Sequence, residues 1–153
     1  SSRPIYRHGH VYVFCGMGSM TAIRPGGNGD VDKTHVTWSR RKVVPKKSSP
    51  LLLNGLLFMI SDEGVASCSD PLTGEIHWAE RLGVKGQCAS SPIHASGRIY
   101  SFSSEGDCIV FKAHKDGLSI LAHNKLSHGC MASPAVNGDS LLVRTKNSLY
   151  RFN

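Results

Sequence analysis

The feature that most constrains this chain is a tripeptide that returns at a regular interval. "SSP" occurs at Ser48–Pro50 and at Ser90–Pro92, and "ASP" at Ala132–Pro134, so Pro50, Pro92 and Pro134 fall 42 residues apart both times. A more divergent copy, "SRP", ends at Pro4, 46 residues before Pro50. Other columns keep step. Gly9, Gly55 and Gly97 come five residues after Pro4, Pro50 and Pro92, and Gly138 comes four after Pro134. Apolar pairs stand seven and eight residues after each proline: Val11-Tyr12, Leu57-Phe58, Ile99-Tyr100 and Leu141-Leu142. Gly18, Gly64 and Gly106 follow their prolines by fourteen residues, and Asn147 stands one position earlier in the last copy.

Each column has a physical reading. Proline has no N–H to give to a sheet ladder, so it suits the start of a strand whose hydrogen-bonding side is free. A Gly after His, Asn or Ser marks a tight reversal that needs positive φ. The apolar pair lies in a second strand ("HVYVF", "LLFMI", "RIYSF", "SLLVR") and the next Gly, or Asn147, leads to a third ("SMTAI", "VASCS", "CIVFK", "SLYRF"). A fourth strand is expected near Trp38, Trp78 and Leu121, with Leu121 in place of the tryptophan in the third copy, where "HKDGLSIL" keeps Asp116-Gly117. Four antiparallel strands in about forty residues is the measure of a β-propeller blade. A sandwich would not repeat its sequence at this interval, and helical repeats of similar length do not tolerate the 16 Gly and seven Pro found here. The expected fold is therefore all-β, a partial propeller over residues 1–153, with blades at about 4–49, 50–91 and 92–133 and an incomplete one at 134–153.

The stretch "DPLTGEIHW", Asp70 to Trp78, adds a second pattern. Asp70 is placed to accept turn N–H groups, Thr73 to do so more weakly, and Gly74 to supply positive φ. Trp78 then lies on the outer strand, where a large side chain fills the wedge to the adjacent blade, and Trp38 holds the matching place one blade earlier. The pattern resembles the tryptophan-docking motif A-x-D-x-x-T-G-x-x-x-W of quinoprotein-type propellers, with Cys68 at the alanine position. "SSPLLLNG", "SSPIHASG" and "ASPAVNG" are similar to that family's inner strand. The resemblance covers essentially the whole chain and is closest to BamB-like, quinone-repeat propellers of bacterial envelopes, notably of planctomycete type. It implies a ring of about seven or eight blades, so the chain reads as the C-terminal part of a longer propeller. Missing blades or a second copy would then be needed to close the ring. It also implies a periplasmic or envelope location, and no signal peptide is visible at "SSRPIYRHGH".

The resemblance offers two functional readings. One is a non-catalytic scaffold that binds proteins or peptides. The other is the C-terminal part of a dehydrogenase dependent on pyrroloquinoline quinone and calcium, whose catalytic blades lie elsewhere. That enzyme class has adjacent cysteines and an Asp/Asn/Glu calcium set. Neither can be matched here, so no catalytic, cofactor or metal residue is assigned and no cofactor is expected. Asp62, Glu63, Glu105 and Asp107 sit at turns and read as solvated caps. The five cysteines form no CxxC pair; Cys88 and Cys130, each four residues before a proline, read as ordinary buried thiols, although with His128 nearby a redox or metal site is conceivable. His8 and His10 share one strand face without a nameable third ligand.

Net charge is +7, concentrated in "RRKVVPKK" at Arg40 to Lys47. That run lacks interleaved aromatics and reads as a solvated connection, so no nucleic-acid partner is expected. The loop "RPGGNGDVDKTHVTW" lacks both the order G-x-x-x-x-G-K-[ST] and a following helix, which argues against a phosphate cradle. No apolar run is long enough to span a bilayer.

Overall fold

The computed structural model describes residues 2–15 and 17–153. The first sheet contains β1 (Ile5–Arg7), β2 (His10–Cys15), β3 (Ser19–Ile23) and β4 (Val36–Arg40), with a single helical turn, α1 (Asp32–His35), before β4. The second contains β5 (Leu51–Leu53), β6 (Leu56–Ile60), β7 (Val65–Ser69) and β8 (Ile76–Arg81). The third contains β9 (Ile93–Ala95), β10 (Arg98–Phe102), β11 (Asp107–His114) and β12 (Gly117–Lys125). The last has β13 (Ala135–Asn137), β14 (Ser140–Arg144) and β15 (Leu149–Phe152). Every sheet is an antiparallel meander in chain order, and the arc of sheets does not close. The prolines Pro50, Pro92 and Pro134 stand just before the first strands rather than within them, buried and outside the ladders.

The first reversals explain why one glycine column slips. His8-Gly9, Asn54-Gly55 and Ser96-Gly97 have positive φ at both central positions, as a type I′ turn requires. In the last blade the central pair is Gly138-Asp139, and only Gly138 (φ 58°) is positive, the type II′ arrangement. The glycine moves one place earlier because the turn changes type. The second reversals use Gly18, Gly64 and Gly106 with φ of 76°, 74° and 92°. Asn147 does not take their role. There the Thr145 hydroxyl accepts the Ser148 N–H at 3.2 Å and closes the turn.

The bulk of the core lies between sheets. Tyr12, Phe14, Met20, Ala22 and Trp38 of the first blade meet Leu57 and Met59 of the second. Phe58, Ile60, Cys68 and Trp78 meet Ile99, Ile109 and Phe111 of the third. Phe102, Cys108 and Val110 meet Val143, Leu141 and Tyr150 of the fourth. Strand alternation sends Leu57 and Met59 one way and Phe58 and Ile60 the other, so an inner blade is apolar on both faces.

A register shift recurs in each four-stranded blade between the third and fourth strands: at Ala22/Ile23, Cys68/Ser69 and Val110/Phe111. It sets Trp38 opposite Ala22, Trp78 opposite Cys68 and Ala122 opposite Val110. The residue in the tryptophan position of the third blade is therefore Ala122, and Leu121 is the extra residue of the bulge. Spacing from the turn misplaces it because the β11–β12 ladder runs longer on the turn side of the bulge than its counterparts do.

Candidate functional site

The turn and the tryptophan of "DPLTGEIHW" serve two different interfaces. Asp70 Oδ1 accepts the N–H groups of Leu72 (2.7 Å) and Thr73 (3.1 Å), and Thr73 Oγ1 accepts that of Glu75 at 3.2 Å. The turn so formed receives Trp38 of the preceding blade, whose Nε1 donates to the Pro71 carbonyl at 2.9 Å. The indole lies against Gly74, where a Cβ would come within 2.6 Å of the ring, and Gly74 also has φ of +75°. Trp78 instead reaches forward, donating from Nε1 to the His114 carbonyl of the third blade at 2.8 Å.

Near the axis the blades are tied by a repeated hydrogen bond. Arg3 N–H donates to Ser49 Oγ (3.0 Å), Ser49 N–H to Ser91 Oγ (2.9 Å) and Ser91 N–H to Ser133 Oγ (2.9 Å). The preceding serines bond within their own blades: Ser48 to the Ile60 carbonyl and Ser90 to that of Phe102. Ala132 has no hydroxyl for this, and the Cys130 thiol donates to the corresponding carbonyl, Arg144 O, at 3.2 Å.

Three side chains expected in solvent are drawn into the structure. Arg40 leaves the basic run and enters the first interface: Nη1 donates to Ser69 Oγ (2.9 Å) and the Gly74 carbonyl (3.0 Å), and the guanidinium sits 5.8 Å from the Trp38 ring. Burial lowers its pKa to about 10. Asp62 and Asp107 are buried at 5% exposure each, so they are not solvated caps. Asp62 Oδ1 accepts the Lys46 N–H at 2.9 Å, and Asp107 Oδ2 that of Lys85 at 2.6 Å, pinning the first and second inter-blade linkers to the blades they enter. Asp107 Oδ1 also meets His123 Nε2 at 3.2 Å and Lys125 Nζ at 3.1 Å. Burial alone would push this carboxyl up, but the Lys85 N–H, Lys125 and His123 outweigh it and hold it below its usual value. Glu63 is exposed beside Lys46, and Glu105 is exposed at its turn. Sequence missed Arg40 because strand alternation, not local charge, decides which side of β4 it occupies.

Cys88 and Cys130 are free, fully buried and assigned to different cores. Burial raises both thiols, and raises Cys68 and Cys108 to about 11, which leaves little reactive thiolate. His128 bonds the Ser127 hydroxyl at 3.1 Å. His8 lies in a turn with φ of +50°, not on a strand face, and its carbonyl meets His10 Nδ1, whose Nε2 bonds Thr37 Oγ1. Among the described residues no three His, Cys, Asp or Glu side chains converge as a metal site. The Gly-rich loop does end in a helix, but α1 is four residues long, and the His35 ring lies where a Gly27 Cβ would be. It is too short to present an anion-binding N-terminus.

The exposed features are grooves at the two ends of the blades. At the end carrying the first reversals, a groove of about 240 Å³ between the second and third blades is lined by Asn54, His94, Lys112 and His114. At the linker end, one of about 380 Å³ between the first and second is lined by Arg41, Lys46, Glu63 and Arg81. Among the described residues no helix is long and apolar enough to cross a membrane.

No protein family and no curated protein matches the chain by sequence. Solved structures do match. BamB from Moraxella catarrhalis aligns over 98% of this chain with a TM-score of 0.74 at 17% identity. This chain spans 44% of that protein's length. The computationally designed Ika4 protein aligns over 99% of this chain and 91% of its own, with a TM-score of 0.71 at 9% identity. A europium-containing methanol dehydrogenase aligns over 80% of this chain and 24% of its own, with a TM-score of 0.57 at 14% identity. By fold, the chain is an unclosed β-propeller arc similar to these structures, with three four-stranded blades followed by one of three strands.

Proposed function

We propose that this chain is a non-catalytic propeller that works as a rigid scaffold for protein or peptide partners, in a bacterial periplasm or envelope. The observation that carries the reading is where its buried carboxylates are spent. Asp62 and Asp107, the acids at 5% exposure, accept linker N–H groups and pair with Lys47 and Lys125, and His123 Nε2 also lies 3.2 Å from Asp107. A quinone dehydrogenase needs carboxylates free to ligate calcium and take a proton, and these are committed to holding blades together. The similarity to BamB over nearly the whole chain supports the same reading, as do open grooves at both blade ends. The envelope location rests on the resemblance to BamB.

The rival reading, part of a quinone-dependent dehydrogenase, is supported by the similarity to the methanol dehydrogenase. Titration with pyrroloquinoline quinone and calcium, followed by absorbance and by dye-linked alcohol or sugar oxidation, separates the two. The scaffold reading expects no saturable quinone binding and no turnover; either one would replace it with the enzyme.

A further inference from the structure

The linker-end groove between the first and second blades differs from the corresponding place one blade later, and the difference defines a ligand. Three residues beyond the docking position, each four-stranded blade carries a cation: Arg41 after Trp38, Arg81 after Trp78, Lys125 after Ala122. In the third blade this cation is satisfied. Lys125 stands opposite Asp107 in register, and its ammonium lies 3.1 Å from the buried carboxylate. In the second blade Arg81 stands opposite Val65, the residue at the same strand start as Asp107. Among the described residues neither Arg81 nor Arg41 is within salt-bridge distance of a carboxylate.

Both arginines instead line the groove of about 380 Å³, together with Lys46. The acid in that lining, Glu63, is 3.7 Å from Lys46, which leaves two guanidinium groups uncompensated. The groove floor is held in place: the linker crosses it with Val43 at φ of +54°, a conformation a β-branched residue adopts only under constraint, and Asp62 anchors that linker through the Lys46 N–H. Met17, 86% exposed, stands at the rim as an apolar contact. Guanidinium groups bind carboxylates through paired N–H donors.

We propose that this groove binds a carboxylate side chain of an acidic peptide segment, so that Arg41 and Arg81 receive from a partner what Lys125 receives from Asp107. The inference rests on the scaffold reading and names the chemistry of its partner. It predicts saturable binding of fluorescein-labelled octaglutamate by anisotropy at low ionic strength, where exposed charges are least screened. Arg41→Gln with Arg81→Gln should weaken that binding about tenfold or more, and Glu63→Gln should tighten it about threefold. Lys112→Gln with Lys115→Gln removes the same charge from the other end and should change it by less than about twofold. Melting curves confirm that each variant is folded.

Equal loss in both double variants would reduce the effect to net charge and overturn the inference. So would equal competition by oligothymidylate, or no binding at all. Failure here leaves the scaffold reading standing, whereas quinone turnover would end that reading whatever octaglutamate does.

Discussion

The first and third inter-blade interfaces are built on the same repeat but closed differently. Between blades 1 and 2, Trp38 fills the wedge, its indole N–H bonds Pro71 O, and Arg40 adds bonds to Ser69 and Gly74. Between blades 3 and 4, the tryptophan position holds Ala122, and an apolar groove of about 400 Å³ lined by Tyr100, Phe102, Val110, Leu141 and Phe152 remains. The lesson is that the aliphatic layer alone seats one blade on the next, while the docking tryptophan and its turn determine how completely the wedge is filled.

The comparison can be sharpened most directly at the intervening interface, between blades 2 and 3, where Trp78 closes the wedge. Trp78→Ala should destabilise the arc by about 3 kcal/mol, near the lower end for loss of a large buried aromatic because the ring is only partly buried. Denaturant unfolding measures it; a loss below about 1 kcal/mol would show that docking contributes little and that the aliphatic layer suffices. A second test removes the polar stitching while leaving the ring. Arg40→Met keeps an unbranched chain over Trp38 but deletes the donors to Ser69 and Gly74, with an expected cost of about 1–2 kcal/mol.

The axial ladder is common to all interfaces, so it provides a baseline. Ser91→Ala removes the acceptor for the Ser49 N–H and should cost about 1 kcal/mol without moving the docking turns. Conversely, Ala122→Trp should fill part of the empty wedge and stabilise by about 0.5–1 kcal/mol, less than Trp78 contributes.

The linker anchor predicts a pH effect. The folded pKa of Asp107 is depressed, so its contribution is complete above the unfolded carboxylate value of about 4 and is lost as pH falls through the lower folded value. Asp107→Asn should remove that component of acid unfolding. Melting temperature against pH tests it, and an unchanged acid limb would show that the carboxylate carries no net stabilisation.

Much of this architecture is legible before any coordinates. Pro50, Pro92 and Pro134 mark the blade starts, and Gly55 and Gly97 mark the first turns, because φ constraints are local and leave the same residue at the same place. Gly138 is legible only as a slipped column, since its meaning depends on a change of turn type. The docking residues Asp70, Thr73, Gly74 and Trp78 can be read from their spacing, but not that the turn receives Trp38 while Trp78 serves the next blade.

What the sequence determined by itself is the period, the strand count and the turns, all of which follow from backbone preferences within a few residues. Tertiary structure decided the partners. A bulge made Ala122, not Leu121, the counterpart of tryptophan, and strand alternation drew Arg40 inward. The folding of the first and second linkers onto the blades they enter buried Asp62 and Asp107 and left Arg41 and Arg81 facing a groove. Those outcomes depend on which faces of successive sheets meet, and that pairing is set by contacts about forty residues apart along the chain.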